Sequence, residues 1–171
     1  MKHLRVNGEE RVGQLVAVEG RGRKTCENSV VQIEPNAYAA VRRHGEEAYP
    51  EESCGVLLGQ FLGEERHVEG AIPCANARRD SPRNRYAMDP KELVRIQRDA
   101  RERALEIVGF YHSHPDHPAE WSTTDLAEAH WVLCSYLITH VAKGVAAETR
   151  AYRLEGTEEE KRFVEEQIVQ E

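Results

Sequence analysis

The sequence predicts a mixed α/β domain, a central sheet with about three helices packed on it. Three observations predict it. The 171 residues are enough for one domain with a proper core and short for two. Apolar runs of strand length alternate with segments whose apolar residues recur at helical spacing. Apolar residues make up 40% of the chain and charged residues 31%, which suits a soluble globular protein.

The elements follow in order. Residues 1–28 read as an N-terminal extension of unassigned role. Within it Asn7-Gly8 is a hairpin signal, 14–18 fits a strand and 20–28 is a polar, basic loop. Residues 30–33 form a short apolar strand. Pro35 then occupies a first helical position, and Tyr38, Val41 and Ala48 share a helix face that ends before Pro50. Residues 53–62 read as a buried strand and 66–72 as its partner. Residues 74–86 are polar and Arg-rich, hence a surface loop. Asp89-Pro90 pairs an N-cap with a first-turn proline, opening a helix with Leu93, Ile96 or Gln97, Ala100 and Ala104 on its face. A strand over 105–111, a loop over 115–121 and a helix beginning at Ser122 come next. Strands over 133–141 and 146–154 meet near Lys143-Gly144. The tail has two readings: Thr157 with Glu160 resembles a capping box, and 162–169 fits an edge strand.

Composition excludes several classes. No run of 18 apolar residues exists, and residues 1–20 lack the apolar core of an export signal, so the expected location is the cytoplasm. The net charge of −7 argues against nucleic-acid and anionic-membrane binding. Cys26, Cys54, Cys74 and Cys134 form no C-x-x-C pair and read as reduced packing thiols.

The chemistry lies in His112-Ser113-His114, followed after seven residues by Ser122-Thr123-Thr124-Asp125. Residues i and i+2 of an extended chain point to one side, so the two imidazoles can share a metal. A loop from Pro115 can return the chain so that Asp125, in the first turn of the next helix, adds a carboxylate. Two imidazole nitrogens and one carboxylate oxygen suit Zn²⁺ and leave a fourth position for water, the pattern of a catalytic site. A base is then needed. Glu52, just before the strand at 53, is the candidate, with Glu51 an equally charged neighbour. The Ser122 hydroxyl can donate to the oxyanion formed when water attacks a carbonyl. Bland readings stand beside these. An H-x-H pair alone arises by chance, and Ser122 with Asp125 is also a capping-box variant. His117 is either an extra ligand or, after Pro115-Asp116, a solvated loop residue, and His130, off the helical face of Asp125, reads as core or surface. Arg78, Arg79, Arg83 and Arg85 either grip an acidic partner or form a solvated loop.

Pro50-Glu51-Glu52-Ser53-Cys54-Gly55, together with the full His112/His114/Ser122/Asp125 pattern, resembles the JAMM (MPN-plus) zinc metallopeptidases over about residues 30–155. The resemblance implies a domain over 29–171 with a curved mixed β-sheet flanked by helices, the cytidine-deaminase-like fold. It implies one zinc held by His112, His114 and Asp125, with Glu52 as general acid/base and Ser122 at the oxyanion. The stretch 76–90, with Ser81-Pro82 and Tyr86-Ala87-Met88-Asp89-Pro90, is similar to the stand-alone prokaryotic branch. Members of that branch cut after the C-terminal Gly-Gly of ubiquitin-like sulfur carriers, and one subgroup releases cysteine from a carrier adduct. The implied partner is such a carrier, neither nucleic acid nor membrane, with a homodimer left open. Two other readings compete: a non-catalytic MPN scaffold, and a RadC-like nucleic-acid-associated protein. Scaffold relatives lack the ligands, which this chain keeps. The RadC group has Asn between its histidines, where this chain has Ser113.

Overall fold

The computed structural model describes residues 29–171; the hairpin, strand and loop expected within 1–28, and Cys26, lie outside them. The order is β1 (Val30–Ile33), α1 (Pro35–Ala48), β2 (Cys54–Leu62), β3 (Glu65–Cys74), α2 (Pro90–Glu102), β4 (Glu106–Pro115), α3 (Thr123–Glu128), β5 (Ser135–Ala142), β6 (Val145–Glu155) and β7 (Arg162–Gln170). Proline takes the first helical position of α1 and α2, where its missing N–H costs nothing. The Asp89 carboxylate caps α2 by accepting the Lys91 N–H at 2.9 Å. Ala104, expected on the α2 face, lies beyond the helix with φ +56°.

The sheet is mixed. Strand order is β1-β3-β2-β4-β5-β6-β7, and β1 pairs in parallel with both β3 and β7, so the sheet closes into a barrel. The expected picture of a curved sheet flanked by helices contains no such closure. The reason is physical: β1 to β7 is the longest-range pairing in the fold, and no local pattern encodes it. The tail follows its strand reading, yet β7 is no edge, because it hydrogen-bonds β6 on one side and β1 on the other. The Thr157 hydroxyl does accept the Glu160 N–H at 3.3 Å, but a strand rather than a helix follows.

Apolar clusters cover both faces of the sheet. On one face Val31, Ile33, Leu57, Val108, Tyr111 and Leu137 pack with Ala37 and Val41 of α1. On the other Val56, Leu58, Phe110, Tyr136 and Leu154 pack with Ile96 and Ala100 of α2. Cys54, Cys74 and Cys134 are free and buried, as packing thiols should be. Where β4 and β5 begin, a polar cluster is enclosed. Arg66 is ion-paired to Glu166 and donates Nε to Ser135 Oγ at 3.2 Å. Glu166 also accepts from Ser29 Oγ at 2.7 Å and Ser135 Oγ at 2.6 Å. Burial pushes the Arg66 guanidinium down to about 10, still cationic at neutral pH. The cluster ties β3, β5 and β7 to the residue that precedes β1.

Candidate metal centre

The β2 and β4 strands run antiparallel with Cys54 opposite His112. The β4 strand extends to Pro115, four residues past the expected strand, and so carries both histidines on paired backbone. Just outside the ladder, Ser113 N–H donates to Ser53 O at 3.1 Å and Ser53 N–H to Ser113 Oγ at 2.9 Å. These bonds fix Glu52, the next residue back, against the end of β4. Gly55 is required by what crosses it: a Cβ there would sit 2.4 Å from the Tyr111 ring, whose hydroxyl is 2.9 Å from His44 Nδ1.

The return loop brings Asp125 to the histidines. Ser122 and Asp125 form a reciprocal capping box: Asp125 N–H donates to Ser122 Oγ at 3.1 Å, and Ser122 N–H to Asp125 Oδ2 at 2.6 Å. The cap thus orients the carboxylate, and the Ser122 hydroxyl proton keeps no partner among the described residues. The two histidine Nε2 atoms are 3.1 Å apart; His112 Nε2 lies 3.3 Å from Asp125 Oδ1 and His114 Nε2 3.6 Å from Asp125 Oδ2. A tetrahedral ion with bonds of about 2.0–2.1 Å needs ligand atoms about 3.3–3.4 Å apart. Each histidine's distance to its nearer Asp125 oxygen is close to that, one donor atom from each residue lies within 4.8 Å of the others, and the N₂O donor set fits zinc, so this cluster could hold a metal ion.

Protonation favours the same use. The Pro118 carbonyl can only accept, so the proton of neutral His114 lies on Nδ1, 2.8 Å from it, and Nε2 keeps its lone pair. Burial drives His112 towards the neutral form, against the pull of Asp125. Burial would raise Asp125, but hydrogen bonds from both histidines outweigh it and hold the carboxyl well below its usual range. His114 shifts upward: burial lowers it, and Asp125 and the Pro118 carbonyl more than offset that. A proton on its Nε2 therefore competes with a metal ion for the same lone pair.

Glu52 is only 6% exposed. Burial pushes its carboxyl up to about 7; His114 pulls it down, and Asp125 and Glu128 add to the rise. All five expected site residues thus gather where β2 begins and β4 ends: the three ligand atoms in one cluster, Glu52 within electrostatic reach, and Ser122 at the start of α3. His117 and His130 stay outside the cluster, and His130 faces Glu158 at the surface, 3.5 Å away. Two contributors escaped sequence reasoning. Tyr86 stacks on His112 with ring centroids 4.6 Å apart. Its place in Tyr86-Ala87-Met88-Asp89-Pro90 marked the segment without indicating a partner. The Pro118 carbonyl is backbone and leaves no residue signature.

The model of the prokaryotic homologs of the JAB domain matches residues 34–155. Among curated relatives, a desampylase of Haloferax volcanii is 40% identical over 89 residues, 52% of this chain and 62% of that protein. That match thus spans less than two thirds of the relative's length. A CysO-cysteine peptidase of Mycobacterium tuberculosis is 36% identical over 133 residues, 73% of this chain and 83% of that protein. Among solved structures, a protein from Salinibacter ruber aligns with TM-score 0.64 and 35% identity over 82% of this chain and 91% of that one. With a family match over 34–155, most of the chain, this protein belongs to the prokaryotic homologs of the JAB domain.

Proposed function

We propose that this chain is a zinc-dependent hydrolase that cleaves the peptide or isopeptide bond after the C-terminal Gly-Gly of a ubiquitin-like sulfur-carrier protein, carrier–cysteine adducts included. The relatives' names, a desampylase and a CysO-cysteine peptidase, support the substrate class. The observation that carries the reading is the gathering of His112, His114 and Asp125 donor atoms within 4.8 Å of one another, within electrostatic reach of the buried Glu52 carboxyl, which is pushed up to about 7.

His112, His114 and Asp125 would hold the zinc, which when bound polarises the scissile carbonyl and brings the pKa of water to about 7. Glu52 takes the proton from the attacking water and delivers it to the leaving amine nitrogen. A carboxyl near 7 suits both halves of that transfer at neutral pH. The free Ser122 O–H donates to the oxygen that gains charge as the carbonyl becomes tetrahedral. Tyr86 holds the His112 ring in place, and the Pro118 carbonyl holds that of His114. The catalytic unit is 29–171, working in the cytoplasm, where Cys54, Cys74 and Cys134 stay reduced.

The test is intact-mass analysis of a ubiquitin-like sulfur carrier extended beyond Gly-Gly, incubated with zinc-loaded protein. A cut directly after Gly-Gly is expected. Glu52→Gln should keep stoichiometric zinc and lose about 10²–10⁴-fold in turnover. Full turnover in that variant would remove Glu52 from its role; no cut by the wild-type protein would overturn the reading.

A further inference from the structure

The arginine-rich loop between β3 and α2 is not absorbed by the chemistry above. Residues 77–86 carry four arginines and one aspartate, net +3, in a chain of net −7, so the rest of the chain sums to −10. The loop is clipped to the site. Glu52 N–H donates to Pro82 O at 2.8 Å, and Asn76 Nδ2 donates to Glu52 O at 3.3 Å and Arg85 O at 3.0 Å. Asn76 Oδ1 accepts from Arg78 N–H and Ala87 N–H, and Ala77 N–H bonds Ala87 O at 2.8 Å. The next residue, Tyr86, lies on His112.

The four arginines divide into two groups. Arg78 is committed: its Nε is 2.9 Å from Asp80 Oδ1 and its Nη1 4.0 Å from Glu128 Oε1. Arg79, Arg83 and Arg85 are exposed, and no carboxylate lies within ion-pair distance of them among the described residues. Arg83 is near enough to Tyr49 for its charge to act on that hydroxyl, which donates to Asp116 Oδ2 at 2.9 Å.

We propose that Arg79, Arg83 and Arg85 form a docking surface for an acidic patch on a folded protein whose extended C-terminal tail enters the metal centre. This rests on the hydrolase reading above and adds how the body of the substrate is recognised. Three uncompensated guanidiniums, held on a clipped loop in an otherwise acidic protein, attract one partner face and repel acidic surfaces elsewhere. A nucleic acid would run beyond so short a patch onto surface of its own sign. The wider acidic field also steers an acidic partner towards this loop alone.

The experiment compares two substrates of one enzyme: an acidic ubiquitin-fold carrier extended beyond Gly-Gly, and a peptide of that carrier's tail and extension. The triple variant Arg79→Glu/Arg83→Glu/Arg85→Glu should lose about tenfold or more in kcat/KM on the whole carrier, mainly through KM, with peptide cleavage unchanged. The milder Arg79→Gln/Arg83→Gln/Arg85→Gln should lose less. Raising salt from about 50 to 300 mM should slow the wild type on the carrier and leave the triple variant nearly flat. Equal loss on both substrates, or none on the carrier, would overturn the docking surface while leaving the hydrolase reading intact. Absence of any wild-type cleavage would overturn both. Salt-sensitive binding of a DNA or RNA oligomer lost in the triple variant, with carrier cleavage unaffected, would reassign the patch to nucleic acid.

Discussion

Arg66 with Glu166, where β5 begins, and Glu52 with its neighbours, where β4 ends, are both ionisable groups taken out of water. They differ in how fully they are answered. Glu166 receives the Arg66 guanidinium and two serine hydroxyls, and Arg66 reaches a carboxylate, two serines and two backbone carbonyls. Glu52 has hydrogen bonds on its backbone, while its carboxyl accepts none among the described residues and is pushed up by burial and by Asp125 and Glu128 against the pull of His114. Nearby, two imidazole nitrogens aim at each other 3.1 Å apart, an arrangement that only a shared proton or a cation satisfies. A completed buried cluster holds a fold together. An incomplete one stores the potential that chemistry needs.

Glu166→Ala should have the largest effect. It leaves Arg66 buried with its main counter-charge gone, at a cost of about 3–5 kcal/mol. The thermal midpoint should fall by about 10 °C. Replacing both partners by apolar residues, Arg66→Met with Glu166→Leu, should recover most of that loss, since no charge is then stranded. Metal content at temperatures below the midpoint should be unchanged in both variants. A small loss in Glu166→Ala would mean the cluster does not close the barrel.

At the other cluster, removing a charge should stabilise. The folded chain holds a proton on Glu52 up to about pH 7, against an ordinary value of 4.5. Ionising Glu52 in the fold therefore costs free energy, and stability falls as pH rises between those values. Glu52→Gln has no such cost. Metal-free Glu52→Gln should exceed the wild type by about 3 kcal/mol at pH 8, with the gain shrinking below pH 7 and gone by about pH 4. Denaturant unfolding in chelator at the two pH values measures it. A variant less stable than wild type at pH 8 would show that the Glu52 carboxyl is paired in the fold.

The two clusters were unequally legible. The site was written in spacing: His112, His114, Ser122 and Asp125 fall within fourteen residues, and strand periodicity plus a capping box bring them together. Glu52 is sixty residues away; the motif resemblance pointed to it, and the pairing of β2 with β4 supplies the reason. Arg66 and Glu166 are separated by 100 residues, and each looks like an ordinary solvated charge on a strand. Their meeting depends on barrel closure, for which neither β1 nor β7 carries a local signal. Tyr86 on His112 is invisible for a similar reason: a polar loop gives no period from which to read an inward ring.

Ser122 gives the smallest effect on stability and the finest test, because one hydroxyl serves both purposes compared here. Its oxygen accepts the Asp125 N–H and completes the cap, while its proton is left for chemistry. Ser122→Ala removes both and should cost about 1 kcal/mol of stability; Ser122→Gly, a tolerated cap, should cost only a few tenths. If the proton stabilises the oxyanion, both variants should lose about 10²–10³-fold in kcat despite their unequal stabilities. Turnover that tracks stability instead, with glycine recovering activity, would reduce Ser122 to a cap that aims Asp125. Measuring melting temperature, bound zinc and kcat on the same three proteins separates the roles, since only the oxyanion role predicts equal loss from alanine and glycine.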